Sequence, residues 1–255
     1  MLRLSDLKIG IDKVADAESE RQALRNIILS QLKISDKELI DYKIFKKSID
    51  ARKKDKILFV YTVDVKIHNE ARILGKYSSK GIIPAPDLSY KGVLLGTEDM
   101  NERPVVIGMG PAGLFAGLLL ARNGYNPIIL ERGEDVETRT KKVNKFWHRG
   151  LLDGESNVQF GEGGAGTFSD GKLTTLINDK RCRTVLEEFI KAGAPPEILY
   201  KSKPHIGTDI LKTVVKNIRQ EIITHGGEVR FKAKVTDFII QDGNIKGVII
   251  NDNEE

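Results

Sequence analysis

Residues 104–133 read PVVIGMGPAGLFAGLLLARNGYNPIILERG, and this stretch decides the fold. PVVIG is a short, wholly apolar run of the type found in buried parallel strands. GPAGLFAGLLLARNG reads as a helix that stops at a glycine, and NPIILERG reads as a second buried strand. Strand, helix and strand in about 30 residues make a β-α-β unit.

Inside the unit, Gly108, Gly110 and Gly113 match G-x-G-x-x-G, with Met109, Pro111 and Ala112 between them. Alone the string is weak. Its context is what a dinucleotide site requires: an apolar strand before it, a helix opening within it, and an acid, Glu131, closing the next strand. Gly108 permits a tight turn. Gly110 leaves room for a pyrophosphate at the helix N-terminus, where unpaired N–H groups and the macrodipole attract anions. Gly113 lets helix and strand pack closely, and Gly117 extends that seam. Glu131 can accept hydrogen bonds from ribose hydroxyls. The form GxGPAGLxAGxxLA, with Glu131 followed by Arg132, resembles the flavoprotein version of this fingerprint, as in the glutathione-reductase-type FAD domain. The sequence carries one such fingerprint, so a second site for NAD(P)H is not evident in it.

Upstream, the first 75 residues suggest a small α+β unit. LRLSDLKIG is a strand, and residues 16–33 place Ala23, Leu24, Ile27, Ile28 and Leu32 at helical spacing behind an acidic first turn. DYKIFKKSID and KILFVYTVDVKI alternate and are β-branched-rich, which predicts an antiparallel pair around a basic loop. The β-α-β-β order suggests a ferredoxin-like half. Residues 76–103 carry Gly, Pro and Ser without periodicity and read as a linker. Downstream, RCRTVLEEFIKAG and GTDILKTVVKNIRQEIITHGG are helices, and residues 228–252 read as three short strands with an Asp-Gly turn. The predicted architecture is therefore α/β: a small ferredoxin-like domain (1–75), a linker (76–103) and a Rossmann-like FAD/NAD(P)-binding domain (104–255).

The composition is that of a soluble globular protein, 40% hydrophobic and 30% charged, with no apolar run of the roughly 20 residues that span a bilayer. The N-terminus lacks the apolar core of a signal peptide. One cysteine, Cys182, excludes an internal disulfide and a multi-cysteine metal site. These features fit a reducing cytoplasm, with no membrane partner and no metal expected. The net charge of +5 is concentrated in residues 1–100, with 19 Lys/Arg against 15 Asp/Glu. Lys46, Lys47, Arg52, Lys53, Lys54 and Lys56 form the densest cluster. It reads as a solvated hairpin loop or as a strip for nucleic-acid phosphates, whose binding would weaken steeply with salt.

A second glycine-rich stretch, QFGEGGAGTFSDGKLTT (159–175), contains G-x-x-x-x-G-K at Gly166–Lys172. It is not a P-loop, because no buried strand feeds it and Leu173 stands where a metal-binding hydroxyl is required. Five glycines in one loop instead imply close backbone approach to a ligand or to another segment. NVQFGEGGAGTFSDGKLTT after a flavin fingerprint, followed by KPHIGTDILKTVVKNIRQEI and GGEVRF, resembles a bacterial family of uncharacterised FAD-dependent dehydrogenases. IDARKKDKILFVYTVDV resembles the leader domain of that family, so the likeness covers nearly the whole chain.

The resemblance implies an FAD-dependent oxidoreductase of unknown substrate, with a substrate-binding part interleaved with the cofactor domain. It places Gly108, Gly110 and Gly113 at the pyrophosphate and Glu131 at the adenosine ribose. Gly163, Gly164, Ala165, Gly166 and Thr167 would lie beside the flavin or its phosphates, and the Val235 backbone would contact adenine. Lys172 reads either as positive charge near the phosphates or a reduced flavin, or as a solvated loop lysine. Arg139 and Arg149 read as pyrophosphate contacts or, more simply, as a solvated helix face. Trp147 reads as core packing. His205 is either a proton shuttle or a structural histidine, and Cys182, between two arginines, receives no redox role. No catalytic residue is assigned. The sequence departs from this class in lacking a Gly-Asp pair and an Ala-Thr-Gly-like turn near its end. It is therefore expected to be the N-terminal portion of a longer flavoprotein, without its closing strand or part of the flavin site.

Overall fold

A computed structural model describes residues 1–77, 81–92, 95–98, 100–177 and 179–253. The reading of 76–103 as a linker thus falls partly outside the described residues, at 78–80, 93–94 and 99. The chain divides into two compact units, Met1–Tyr90 with Thr174–Leu186 and Pro196–Pro204, and Lys91–Leu173 with Glu187–Pro195 and His205–Glu255.

The first unit is built on β1 (Leu2–Gly10), α1 (Ala17–Leu32), β2 (Leu39–Asp50), β3 (Leu58–Ile67), α2 (Glu70–Tyr77) and β4 (Ile82–Pro84). The four strands form one antiparallel sheet in the order β2-β3-β1-β4. The β-α-β-β order expected from sequence is thereby continued by α2 and β4 into β-α-β-β-α-β. Strand β4 lies within the stretch read as a linker. Three residues without alternation carry no sequence signal, and pairing with β1 supplies their order. Helix α1 starts at Asp16, whose carboxylate accepts the Ser19 amide at 2.8 Å while the Ser19 hydroxyl accepts the Asp16 amide at 2.9 Å. It buries Leu24, Ile28 and Leu32, spaced four apart, against Leu2, Leu4, Tyr61, Val63 and Val65.

The second unit contains β5 (Val105–Ile107), α3 (Pro111–Arg122), β6 (Ile128–Glu131), α4 (Val136–Arg149), α6 (Thr208–Thr224), β7 (Glu228–Phe231), β8 (Val235–Gln241) and β9 (Asn244–Ile250). Helix α5 (Lys180–Lys191) precedes α6 in the chain. Strands β5, β6 and β7 form a parallel sheet in that order. Helix α3 is apolar on most sides, burying Leu114, Leu118 and Ala121; α6 packs against it, with Ile222 beside Gly117, and buries Val214, Val215 and Ile218 as well. A Cβ on Gly117 would overlap the Ile129 side chain, so this glycine sets the approach of α3 to β6.

One expectation changes here. PVVIG forms a strand, but it is an edge strand among the described residues, with Val105 and Ile107 45% and 50% exposed. The three strands and the Asp-Gly turn expected in 228–252 form, divided between two sheets. β7 joins the parallel sheet, while β8 and β9 make a separate antiparallel hairpin around Asp242-Gly243, both at positive φ.

Candidate functional site

The fingerprint loop runs from the end of β5 into α3. Gly108 sits at φ +88°, where a side chain would be strained, and its amide donates to the Leu130 carbonyl at 2.7 Å, fixing the turn to β6. A Cβ on Gly113 would overlap the Gly108 carbonyl oxygen, whereas one on Gly110 would meet nothing within 4 Å. The backbone is therefore closed around Gly113 and open in front of Gly110. Gly110 caps α3 without a side-chain hydrogen bond, and Pro111 follows at the first helical position. The amides of Ala112 and Gly113 lie in the first turn, where the helix provides no acceptor.

Glu131 closes β6 with its side chain almost wholly buried, 4% exposed. Oε2 accepts the Met109 amide at 2.7 Å, and Oε1 accepts the Gly133 and Gly161 amides at 2.8 and 3.1 Å. The carboxylate thus ties together the fingerprint loop, the end of β6 and the second glycine loop. Of the roughly four acceptor directions of a carboxylate, these three bonds leave one on Oε2.

The second glycine loop lies on the first. The Gly163 amide donates to the Met109 carbonyl at 2.8 Å, and a Cβ on Gly164 would crowd Pro111 Cδ at 3.1 Å and Gly110 Cα at 3.4 Å. The close approach implied by the glycines is therefore made, in part, to the fingerprint loop itself. Gly108, Gly110, Glu131, Arg132, Gly164 and Val235 border one cavity of about 270 Å³, together with Phe160 and Lys234. Arg132 lies 3.9 Å above the Phe160 ring and donates to Glu155 at 2.8 Å.

The remaining candidates lie elsewhere. Ala165 and Gly166 are exposed in a 3₁₀ turn (Ala165–Phe168). Thr167 is fully buried, with its hydroxyl toward the Glu162 carbonyl at 3.4 Å, so its side chain points into the protein. Lys172 pairs with Asp170 at 2.7 Å on the surface. His205 is exposed and forms a backbone bridge with Lys172. Cys182 is half-buried, its Sγ 3.8 Å from the Ile177 carbonyl. In the basic cluster, Lys47 pairs with Glu20 and Arg52 with Asp50, while Lys46, Lys53, Lys54 and Lys56 are exposed.

Two residues overturn their sequence readings. Trp147 is not core: it is 56% exposed, making an edge contact with Phe168. Arg139 is not on a solvated face: it is fully buried, and its guanidinium donates to the carbonyls of Asn157, Val158, Gly161, Glu162 and Gly164 at 2.6–3.3 Å. Burial lowers its pKa to about 10, opposed by Glu131 and Glu162, so it remains charged at neutral pH. Arg149, by contrast, is exposed. A loop rich in glycine has no side chains to satisfy its own carbonyls, and Arg139 serves that need.

Sequence reasoning also passed over Glu162. It is fully buried, accepts the Val136 amide on Oε2 at 2.7 Å and lies 3.2 Å from Arg219. Its Oε1 has no hydrogen-bond partner among the described residues. Burial pushes its pKa up to about 7, with the Val136 amide and Arg219 opposing.

Among the described residues no helix is long and apolar enough to cross a membrane. Residues 1–66 match the family model of a domain of unknown function, DUF8436. An uncharacterized protein of Clostridium beijerinckii is 48% identical over 250 residues, which are 98% of this chain and 46% of that protein. The chain thus spans about half the length of this curated relative. The crystal structure of Thermovibrio ammonificans THI4 is similar over 58% of this chain and 46% of its own, at 17% identity and a TM-score of 0.33. The chain is of mixed α/β build.

Proposed function

We propose that the second unit is a Rossmann-like domain that binds FAD, and that the chain serves an FAD-dependent oxidoreductase of the dehydrogenase type with an unassigned substrate. The first unit is read with it as ferredoxin-like. The observation that carries this reading is convergence: Gly108, Gly110, Glu131, Arg132, Gly164 and Val235, separated by up to 127 positions in sequence, border one cavity.

The residues present suit the group. The space before Gly110 is open, and the first amides of α3 have no capping side chain competing with an anion for them. Glu131 keeps one acceptor direction, which a ribose hydroxyl can fill. At about 270 Å³ the cavity is smaller than the roughly 300–1,000 Å³ of whole-ligand sites, so it suits the adenosine diphosphate end of a dinucleotide. When bound, FAD would supply the hydride or electron transfer, which no amino-acid side chain provides. The protein's own part is to hold the diphosphate on the α3 amides, orient the ribose on Glu131, keep the two glycine loops in register through Glu131 and the Gly163–Met109 hydrogen bond, and brace the second loop on Arg139.

The test is a titration of the purified chain with FAD, followed by flavin fluorescence and by release of FAD on denaturation. Saturable retention of FAD is expected. A well-folded chain that retains none would sink the reading.

A further inference from the structure

We propose that the N-terminal unit carries a site for a small organic anion with an apolar body, at the end of β2 beside residues 201–203. The proposal is independent of the FAD reading, since every residue in it belongs to the first unit.

A cavity of about 720 Å³ opens there, within the size range of small-molecule sites. Ile49 and Phe59, cross-strand partners on β2 and β3, supply an apolar surface, and Ile49 is 63% exposed despite its size. Lys47, Lys201 and Lys203 border the same space, and no acidic side chain does. The arrangement is held by backbone. The Lys47 amide donates to the Tyr200 carbonyl at 2.7 Å, and the Ser202 amide and hydroxyl donate to the Lys47 carbonyl at 3.0 and 3.1 Å. This pins 200–202 along β2, at the free edge of the sheet among the described residues.

The three lysines differ in availability. Lys47 is occupied, paired with Glu20 and 4.4 Å from the Phe59 ring centroid. Its charge adds to the field at the site without being free to swing. Lys201 has Glu197 only at 3.5 Å, and Lys203 makes no ion pair among the described residues. Ser48 and Ser202 donate their hydroxyls to the Val60 and Lys47 carbonyls, which leaves the two lysines as the donors for a ligand. Two available ammonium groups beside an apolar surface complement an anionic head on a flat or aliphatic body. A bare polyphosphate would leave Ile49 and Phe59 unused.

Anilinonaphthalene sulfonate, an aromatic anion, is the probe for the test, with neutral N-phenylnaphthylamine as its uncharged counterpart and oligothymidylate as competitor. The sulfonate should bind saturably. The Lys201→Ala/Lys203→Ala double variant should weaken it about tenfold, since two surface charges are lost. Ile49→Asp should weaken it at least as much. Both changes are at exposed positions, and unchanged circular dichroism verifies folding. Equal affinity for the neutral probe, no effect of either variant, or displacement of the sulfonate by oligothymidylate would overturn the proposal.

Discussion

The Glu131 carboxylate accepts the Met109 amide at 2.7 Å, so the acid that ends β6 is bonded to the middle of the fingerprint loop. Two further amides, from Gly133 and Gly161, bond its other oxygen. Glu131 therefore holds the two glycine loops and the end of β6 together and keeps one acceptor direction for the proposed ligand. Replacing it by Gln turns one of its oxygens into an NH₂ group that must face a backbone N–H. Glu131→Gln should lower stability by about 1–3 kcal/mol, the range for a buried group left unpaired. Urea denaturation checks this, and FAD retention should fall in the same variant.

Gly110 and Gly113 separate fold from ligand. A Cβ at Gly113 collides with the Gly108 carbonyl, whereas at Gly110 it enters open space at an ordinary φ of −69°. Gly113→Ala should unfold the loop or lower the melting temperature clearly. Gly110→Ala should melt as the parent does but bind FAD about tenfold or more weakly, because the methyl occupies the approach of the diphosphate. Equal FAD affinity in Gly110→Ala would show that the open space is not where the ligand lies.

Arg139 should be irreplaceable by lysine. An ammonium has three donors without the planar fork, so Arg139→Lys leaves some of five loop carbonyls unpaired in a buried setting. A loss of about 2–4 kcal/mol is expected. Hydrogen exchange should accelerate first in residues 157–164, ahead of β1 and β3 in the N-terminal unit.

What the sequence made legible and what it hid have a common cause. The β-α-β unit was readable because its signals are local: apolar runs, glycine spacing and an acid at a strand end. The sheet of the N-terminal unit was half readable, since β4 has three residues and owes its order to β1. Arg139 was misread because a charged residue on an amphipathic helix ordinarily faces water. Its burial comes from carbonyls 18–25 residues downstream, which helical periodicity does not encode. The glycines of 161–166 held the clue, since a loop of bare backbone needs a donor from elsewhere. Trp147 failed in the opposite way: a large aromatic suggests core, yet it stands at the exposed end of α4. β7 pairs with β6 in a register of residues 100 positions apart, as Ile128 with Glu228, a relation visible only once the chain is folded.

Glu162 should make stability depend on pH across the neutral range. Burial raises its folded pKa to about 7 from the ordinary 4.5, so between these values the folded chain binds more proton than the unfolded chain. Stability must then fall as pH rises from about 4.5 through 7, and level off above. The full difference corresponds to roughly 3 kcal/mol for this one group. Glu162→Gln keeps an acceptor for the Val136 amide and removes the titration. Urea midpoints measured from pH 5 to 8 should decline in the parent and decline less in Glu162→Gln, with the two curves diverging toward high pH in favour of the variant. Parallel curves would mean that Arg219, 3.2 Å away, keeps Glu162 ionised throughout and that burial does not dominate.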